Sequence, residues 1–490
     1  MKKNHPHDLN FVVEASIDQL EEKLAKGEIT SRELVMHYMN RIAEFDQGEL
    51  GINSIAELNP DAIHIAENLD LERNEKGVRG PLHGIPIVLK DNIDTGDKMH
   101  TTAGSLALKD HVAKQDAFLA KKLREAGAII LGKANLTEWA NFMTVGMPNG
   151  YSSRGGQVLN PYGPGEFDTG GSSAGSAVAV ASNFVTVSVG TETSGSILSP
   201  ASQNSLVGIK PTVGAVSRSG VIPISHTQDT AGPIAKTVRD AVYVFQAMVG
   251  EDHQDPVTGK ARQYAKCDLT RHLKQNGLKG KRIGIAREHY FDSISEEKRN
   301  LLDQAIKVLE QQGAIVVDNV TIPSTTHNWG IGVMIYEFKN SLNAYLKTVS
   351  KENIKVGSID DIIDFHHENE EETLKYGQKW FLEAAKTTGL LTESDFLDEL
   401  LSDQYLSKEQ GIDYTLNEEQ LDAIVFPNNI GAGIPAKAGY PSITVPAGYT
   451  DQGEPVGITF TGTAFAEPSL IEIAFGYEQA SFRRRAPKLQ

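Results

Sequence analysis

Two hydrophobic periodicities run through the chain and change places along it. Between residues 16 and 26, Ile17, Leu20 and Leu24 recur at helical spacing among charged residues. Thr30-Ser31-Arg32-Glu33 then has the form of a capping box, with Thr30 as N-cap and Glu33 at the third helical position. Ile29 and Leu34 are placed as its hydrophobic staple. Leu34, Tyr38, Met39 and Ile42 continue one apolar face. These patterns predict an N-terminal helical region over residues 12–45, built for packing.

From residue 80 onward the texture changes. After the turn-forming Gly80-Pro81-Leu82-His83-Gly84, residues 85–89 form a short apolar run of buried-strand type. Residues 117–127 read as a helix and 128–131 as a strand. A Gly/Ser-rich stretch covers 163–175. Residues 174–181 are small and apolar, as in a tightly packed helix, and 185–189 alternate as a strand does. Strands are predicted again at 282–286, 314–317, 423–426 and 442–445, with helices at 296–312 and 467–482. Strands alternating with helices argue for an α/β fold with a mostly parallel sheet. Residues 330–422 differ: charged, helix-favouring and poor in strand signals, they predict a helical insertion or subdomain. With no repeat and no low-complexity linker, residues 1–490 are read as a single domain with that peripheral region.

Composition adds limits. Of 490 residues, 40% are apolar and 23% charged, the balance of a soluble globular protein rather than a disordered chain. The formal net charge of −17 argues against a nucleic-acid binder, which presents a basic face. The single cysteine, Cys267, cannot form an internal disulfide and leaves no zinc framework. Met1-Lys2-Lys3 is followed by Asn4, His5, Pro6, His7 and Asp8, not by an apolar leader segment. The most apolar long stretch, 174–190, is broken by polar residues and short of the roughly 20 needed to span a membrane. A cytoplasmic location with no membrane partner is expected. Arg483-Arg484-Arg485 opens a short basic tail, expected to be solvated.

Candidate chemistry narrows to serine. His366-His367 beside Glu368 do not share a helix face, so they predict a solvated helix and no metal site. No phosphate-binding glycine loop is present, and neither a metal nor an organic cofactor is expected. Three serine patterns compete. Gly171-Ser172-Ser173-Ala174-Gly175 matches the nucleophile-elbow form, but residues 160–168 before it do not read as the strand an elbow requires. Ser295-Glu296-Glu297-Lys298 reads as an exposed helix start. The third combines Lys90, at the end of the apolar run, with two Gly/Ser clusters: Thr169-Gly170-Gly171-Ser172-Ser173-Ala174-Gly175-Ser176 and Gly190-Thr191-Glu192-Thr193-Ser194-Gly195-Ser196. Ser172 and Ser196 lie 24 positions apart, and the helix and strand between them return the second cluster to the first. Gly-rich loops let backbone approach a substrate and expose N–H groups, which marks Gly170, Gly171 and Ser173 as substrate-binding candidates.

The ordered stretches Gly84-Ile85-Pro86-Ile87-Val88-Leu89-Lys90-Asp91-Asn92, both clusters, Lys210-Pro211-Thr212 and Gln228-Asp229-Thr230-Ala231-Gly232-Pro233 resemble the amidase signature family. The likeness runs from the Thr30 helix to the C-terminal helix and is weak over 330–422. It implies that family's fold, a mixed twisted β-sheet flanked by layers of helices. It also implies a Ser–cis-Ser–Lys triad: Ser196 as nucleophile, Ser172 as the bridging serine in a cis peptide, Lys90 as base. Backbone N–H groups of Thr193, Ser194, Gly195 and Ser196 are the implied oxyanion hole. The implied reaction is hydrolysis of a small-molecule or peptide amide, releasing ammonia or an amine through an acyl-enzyme on Ser196. Many members carry Gly-Gly-Ser-Ile-Arg at the nucleophile; here Ser194-Gly195-Ser196-Ile197-Leu198 puts Leu198 at the arginine position. That departs from the glutamine-dependent amidotransferase A-subunit. With Ile224-Ser225-His226-Thr227 downstream, the chain looks more like the peptide amidase branch. The alternative is an A-type or non-catalytic subunit of an amide-transferring complex, against which the retention of Lys90, Ser172 and Ser196 argues. Lys90 is expected to be drawn inside and neutral, with Asp91 pointing to the other face of the strand. Tyr336, Phe338, Trp380 and Phe381 are candidate walls of the substrate pocket.

Overall fold

The computed structural model describes residues 9–264, 267–350 and 354–489; residues 1–8, read above for a leader, lie outside them. In chain order its strands are β1 (Ile55–Leu58), β2 (Pro86–Lys90), β3 (Ile129–Ala134), β4 (Tyr151–Ser152), β5 (Gly156–Gln157), β6 (Val187–Glu192), β7 (Val207–Lys210), β8 (Thr230–Ala235), β9 (Arg282–Ile285), β10 (Ile315–Asp318), β11 (Ala423–Pro427), β12 (Ser442–Tyr449) and β13 (Pro455–Thr461). β4 and β5 pair only with each other. The other eleven form one sheet in the order β1-β3-β2-β6-β8-β7-β12-β13-β11-β9-β10.

The sheet is mixed, not mostly parallel. β2 lies parallel to β3 and β6, and β9 parallel to β10 and β11. Between these flanks every neighbouring pair from β6 to β11 is antiparallel, as is β1 against β3. The connection between β12 and β13 is too short for the crossover that parallel strands need. β7, β8 and β13 escape detection in the sequence because Gly208, Gly232, Pro233 and Gly457 interrupt their apolar runs.

Helices cover the sheet. Helix Ser31–Arg41 carries the predicted capping box, with Thr30 and Glu33 satisfying each other's backbone. Ser16 and Gln19 form a second box on helix Ile17–Ala25; such an N-cap contributes about 1 kcal/mol. All of helix Ala174–Ala181 is buried. Its small residues permit this: a side chain at Gly175 would meet the carbonyl oxygens of Asn135 at 2.3 Å and Ser54 at 2.4 Å. No helix among the described residues is long and apolar enough to cross a membrane.

The described part of 330–422 is helical, with main elements Gly332–Leu346, Ile359–Glu368, Lys379–Ala385 and Ser394–Ser407. These helices close over a second apolar cluster in which Phe338, Leu342 and Phe381 pack with Trp139, Phe142, Met143 and Ile224. Phe338 and Phe381 are therefore core residues, their rings 5.0 Å apart edge to face, and not pocket walls. Tyr336 packs on Phe396, and Trp380 stacks on Phe142. His366, expected on a solvated helix, is buried with Nδ1 2.8 Å from Gln378 Oε1, because its helix face turns onto this cluster. The basic tail is also not simply solvated. The Arg484 side chain is only 10% exposed, pairs with Glu14 at 2.7 Å and donates to the Ser205 carbonyl. It ties the C-terminal segment to the N-terminal one.

Candidate active site

β2 is buried along its whole length and delivers Lys90 to the interior. Lys90 Nζ lies 2.6 Å from Ser172 Oγ, 2.9 Å from Thr191 Oγ1 and 3.3 Å from the Thr191 carbonyl oxygen. Asp91, the next residue, turns to the other face, where it meets Thr102 and Arg154. Burial pushes Lys90 down to about 7, against the opposing pull of the Asp229 and Glu192 carboxylates. Three oxygens surround the nitrogen, as many as an ammonium has N–H groups; in the neutral form two N–H groups can serve the Thr191 oxygens and leave a lone pair for the Ser172 hydroxyl.

The two Gly/Ser clusters meet as their spacing predicts. Helix Ala174–Ala181 and β6 carry the chain away and back, and the Ser173 N–H donates to the Ser196 carbonyl at 3.2 Å. The Gly171–Ser172 peptide bond is cis. The Ser172 carbonyl accepts from the Thr137 N–H at 3.0 Å. Ser173 Oγ donates to the Thr191 carbonyl at 3.1 Å and accepts the Thr191 N–H at 3.2 Å. Ser196 keeps 8% of its surface exposed, and its hydroxyl bonds to no group among the described residues. The Lys90–Ser172 contact is thus closed while Ser172–Ser196 is open, as catalytic hydrogen bonds often are without substrate.

The loop after β6 is organised by Glu192. Its carboxylate accepts the N–H groups of Gly195 at 2.7 Å, Ile197 at 2.8 Å and Leu198 at 3.0 Å. Gly195 therefore drops out of the expected oxyanion donors, because its N–H is already engaged. The N–H groups of Thr193, Ser194 and Ser196 make no hydrogen bond among the described residues. Thr193 is fixed from its side chain: Oγ1 donates to Asp229 Oδ1 at 2.5 Å, and Gln228 Nε2 donates to the Thr193 carbonyl at 3.2 Å.

Other expectations fare differently. Gly170 and Ser173 are buried, and only Gly171 of the three substrate-binding candidates keeps partial exposure. A side chain at Gly170 would strike the Pro200 backbone at 2.6 Å, and the Ser173 hydroxyl is consumed by Thr191. No strand lies within residues 158–170, immediately before Gly171, so the elbow pattern lacks its support. Ser295 caps helix Glu296–Gln311 by accepting the Lys298 N–H. Sequence reasoning gave no role to Thr191, Glu192 or Asp229. The available signal was charge and hydroxyl inside segments otherwise small and apolar. Asn92 also went unassigned; its Nδ2 donates to Thr191 Oγ1 at 3.0 Å.

A cavity of about 830 Å³ opens beside Asp229. Arg218 and His226 line it on one side, and Asn340, Ser341 and Tyr345 of the helical region on the other. Ala344, Thr348 and Leu391 of the same region also line this cavity, and Tyr336, Phe338, Trp380 and Phe381 do not.

Known proteins resemble the chain over nearly its whole length. The Amidase family profile matches residues 33–471. A probable amidase of Arabidopsis thaliana is 44% identical over 488 residues, covering 97% of this chain and 92% of the relative. The crystal structure of an amidase family protein from Bacillus anthracis superposes with a TM-score of 0.93 at 41% identity, covering 100% of this chain and 96% of that one. The native peptide amidase from Stenotrophomonas maltophilia gives a TM-score of 0.91 at 41% identity, covering 98% and 99%. The chain belongs to the amidase family.

Proposed function

We propose that this amide-hydrolysing enzyme acts on C-terminal peptide amides, releasing ammonia, through an acyl-enzyme on Ser196. The observation that carries the chemical reading is the 2.6 Å approach of a fully buried Lys90 amine to Ser172 Oγ. A serine hydroxyl alone is a poor nucleophile at neutral pH. In the proposed relay, neutral Lys90 accepts the Ser172 proton while Ser172 takes the proton of Ser196. The Ser196 oxygen attacks the amide carbonyl, and the oxyanion is received by N–H groups of Thr193, Ser194 and Ser196. Each such donor supplies about 2.7–4 kcal/mol when removed singly. The proton then passes back through Ser172 to the leaving nitrogen, the C–N bond breaks, and ammonia departs. Water repeats the sequence on the ester: its proton enters the relay, its oxygen joins the acyl carbon, and Ser196 is restored.

Two features support the peptide-amide substrate. Leu198 stands where the family's arginine is common, and the Stenotrophomonas relative is a peptide amidase. We place the acyl portion in the cavity beside Asp229, which makes residues 330–422 pocket-shaping through Asn340, Ser341 and Tyr345. The test is ammonia release by the purified chain from peptide amides, fatty amides, aryl amides and free glutamine. Peptide amides should give the highest kcat/KM. Ser196→Ala should abolish turnover, by about 10⁶-fold if it behaves as other serine nucleophiles do, together with labelling by a serine-directed phosphonate. Preference for glutamine would overturn the substrate; labelling at Ser172 or Ser173 would overturn the nucleophile.

A further inference from the structure

Glu337 lies fully buried in helix Gly332–Leu346, with its carboxylate aimed at the loop of residues 224–229. Its Oε2 accepts the Ser225 hydroxyl, the Thr227 hydroxyl at 3.0 Å and the Thr227 N–H at 3.2 Å. Its Oε1 faces His226 Nε2 at 3.1 Å. Three consecutive residues of one loop thus converge on a single carboxylate from another part of the chain. A buried carboxylate is costly unless its lone pairs are used; here the loop uses those of Oε2, while Oε1 has no hydrogen-bond partner among the described residues and only His226 Nε2 near it.

The same loop faces the site with its other side. Asp229 Oδ2 accepts the N–H groups of Ile224 at 2.8 Å and Ser225 at 2.9 Å, and the Asp229 N–H donates to the Ser225 carbonyl at 2.9 Å. Ser225 is the shared residue, with its side chain on Glu337 and its backbone on Asp229. Asp229 Oδ1 in turn holds Thr193 Oγ1. Direct hydrogen bonds therefore run from Glu337 through Ser225 and Asp229 to Thr193, a contiguous path of the kind that transmits position.

We infer that Glu337 is a positioning residue for amide hydrolysis: from the helical region it sets the 224–229 loop, and through Asp229 it aims the Thr193 N–H at the oxyanion. The inference rests on the reading of Ser196 and its neighbouring N–H groups given above. Among the described residues Glu337 hydrogen-bonds to none of Lys90, Ser172 and Ser196, so its effect falls on the transition state through geometry alone. A donor displaced by about 1 Å costs on the order of 100-fold.

The experiment is steady-state kinetics on a peptide amide with Glu337→Ala, Glu337→Gln, Thr193→Val and the double variant Glu337→Ala/Thr193→Val, with Ser196→Ala as control. Glu337→Ala should lower kcat about 10- to 100-fold with KM within about 3-fold, because the oxyanion contact is made in the transition state. Glu337→Gln should recover most of kcat, since its amide oxygen still accepts from Ser225 and Thr227. The double variant should be little worse than Thr193→Val alone, as coupled residues are non-additive. Wild-type kcat in Glu337→Ala, a loss expressed in KM, or losses that multiply in the double variant would each overturn the inference. Should Glu337→Ala fail to fold, Thr227→Val and Ser225→Ala remove loop donors one at a time and are judged by the same kcat criterion. Full activity in Ser196→Ala would instead overturn the underlying reading, which separates the two failures.

Discussion

Lys90 and Lys133 lie fully buried on neighbouring parallel strands, yet they meet different surroundings. In the register of β2 and β3, Leu89 pairs with Lys133 and Lys90 with Ala134. That one-residue offset sends the two side chains to opposite faces of the sheet. Lys133 Nζ donates to the Ile93 carbonyl at 2.6 Å and to Thr101 Oγ1 at 2.9 Å, and the carboxylates of Asp91 and Asp94 support its charge. Among the described residues Lys90 has no carboxylate in hydrogen-bond contact, and it has Ser172 Oγ at 2.6 Å. Burial pushes both lysines down. The contrast teaches that burial alone does not make a base. In the proposed relay a buried amine serves as base because no carboxylate among the described residues hydrogen-bonds to it and a hydroxyl leading to Ser196 does. The alternation of a single strand secures both, by turning Asp91 toward Lys133 and Arg154 while Lys90 faces Ser172.

The strongest way to break this contrast is at Lys90. Lys90→Ala should lower kcat/KM by about 10²–10⁴-fold, the usual contribution of a general base. Lys90→Arg should not restore it, because a guanidinium stays protonated. Near wild-type rates in Lys90→Arg would mean that the residue supplies charge only. The complementary change is Lys133→Met. It leaves Asp91 and Asp94 without their buried cation, so unfolding by urea should show a loss of about 3–5 kcal/mol. In the folded fraction the pH dependence of kcat/KM should stay where it is in the wild type. A shifted profile would show that the two lysines are not independent.

Much of this arrangement was legible in the sequence, for a physical reason. The run ending at Lys90 is uninterrupted by polar residues. Thr30 and Glu33 sit at cap spacing, and residues 174–181 are too small and apolar to be anything but buried. Local patterns of that kind carry their own structure. What escaped depends on partners far off in the chain or on loop shape. The partners of Glu192 are N–H groups three to six residues ahead, which only a closed loop brings round. Arg484 finds Glu14, 470 positions away. Asp229 and Glu337 converge on one loop from elements that no local pattern connects. Gly195 illustrates the limit at the site itself: the family resemblance implied an oxyanion donor there, and the Glu192 carboxylate takes its N–H.

A milder change sharpens the comparison between the sheet-borne site and the helical region over it. Replacing Asn340 and Ser341 by Leu should alter the ranking of acyl groups by about 10-fold in relative kcat/KM, the scale of a single pocket contact. The apparent pKa of the reaction should not move. An unchanged ranking in a folded, active variant would place the acyl group elsewhere.

The central claim, that Lys90 is a neutral base aimed at Ser172, is tested most directly by the pH dependence of kcat/KM in the wild-type enzyme. With Lys90 brought down to about 7 by burial, its ammonium form predominates below that pH and cannot accept the Ser172 proton. Above that pH the amine is free to do so. The sign follows: kcat/KM should rise about tenfold per pH unit on the acid side, bend near pH 7 and level off above it. A limb at the ordinary lysine value of about 10.4, or a rate independent of pH from about 5 to 9, would contradict it.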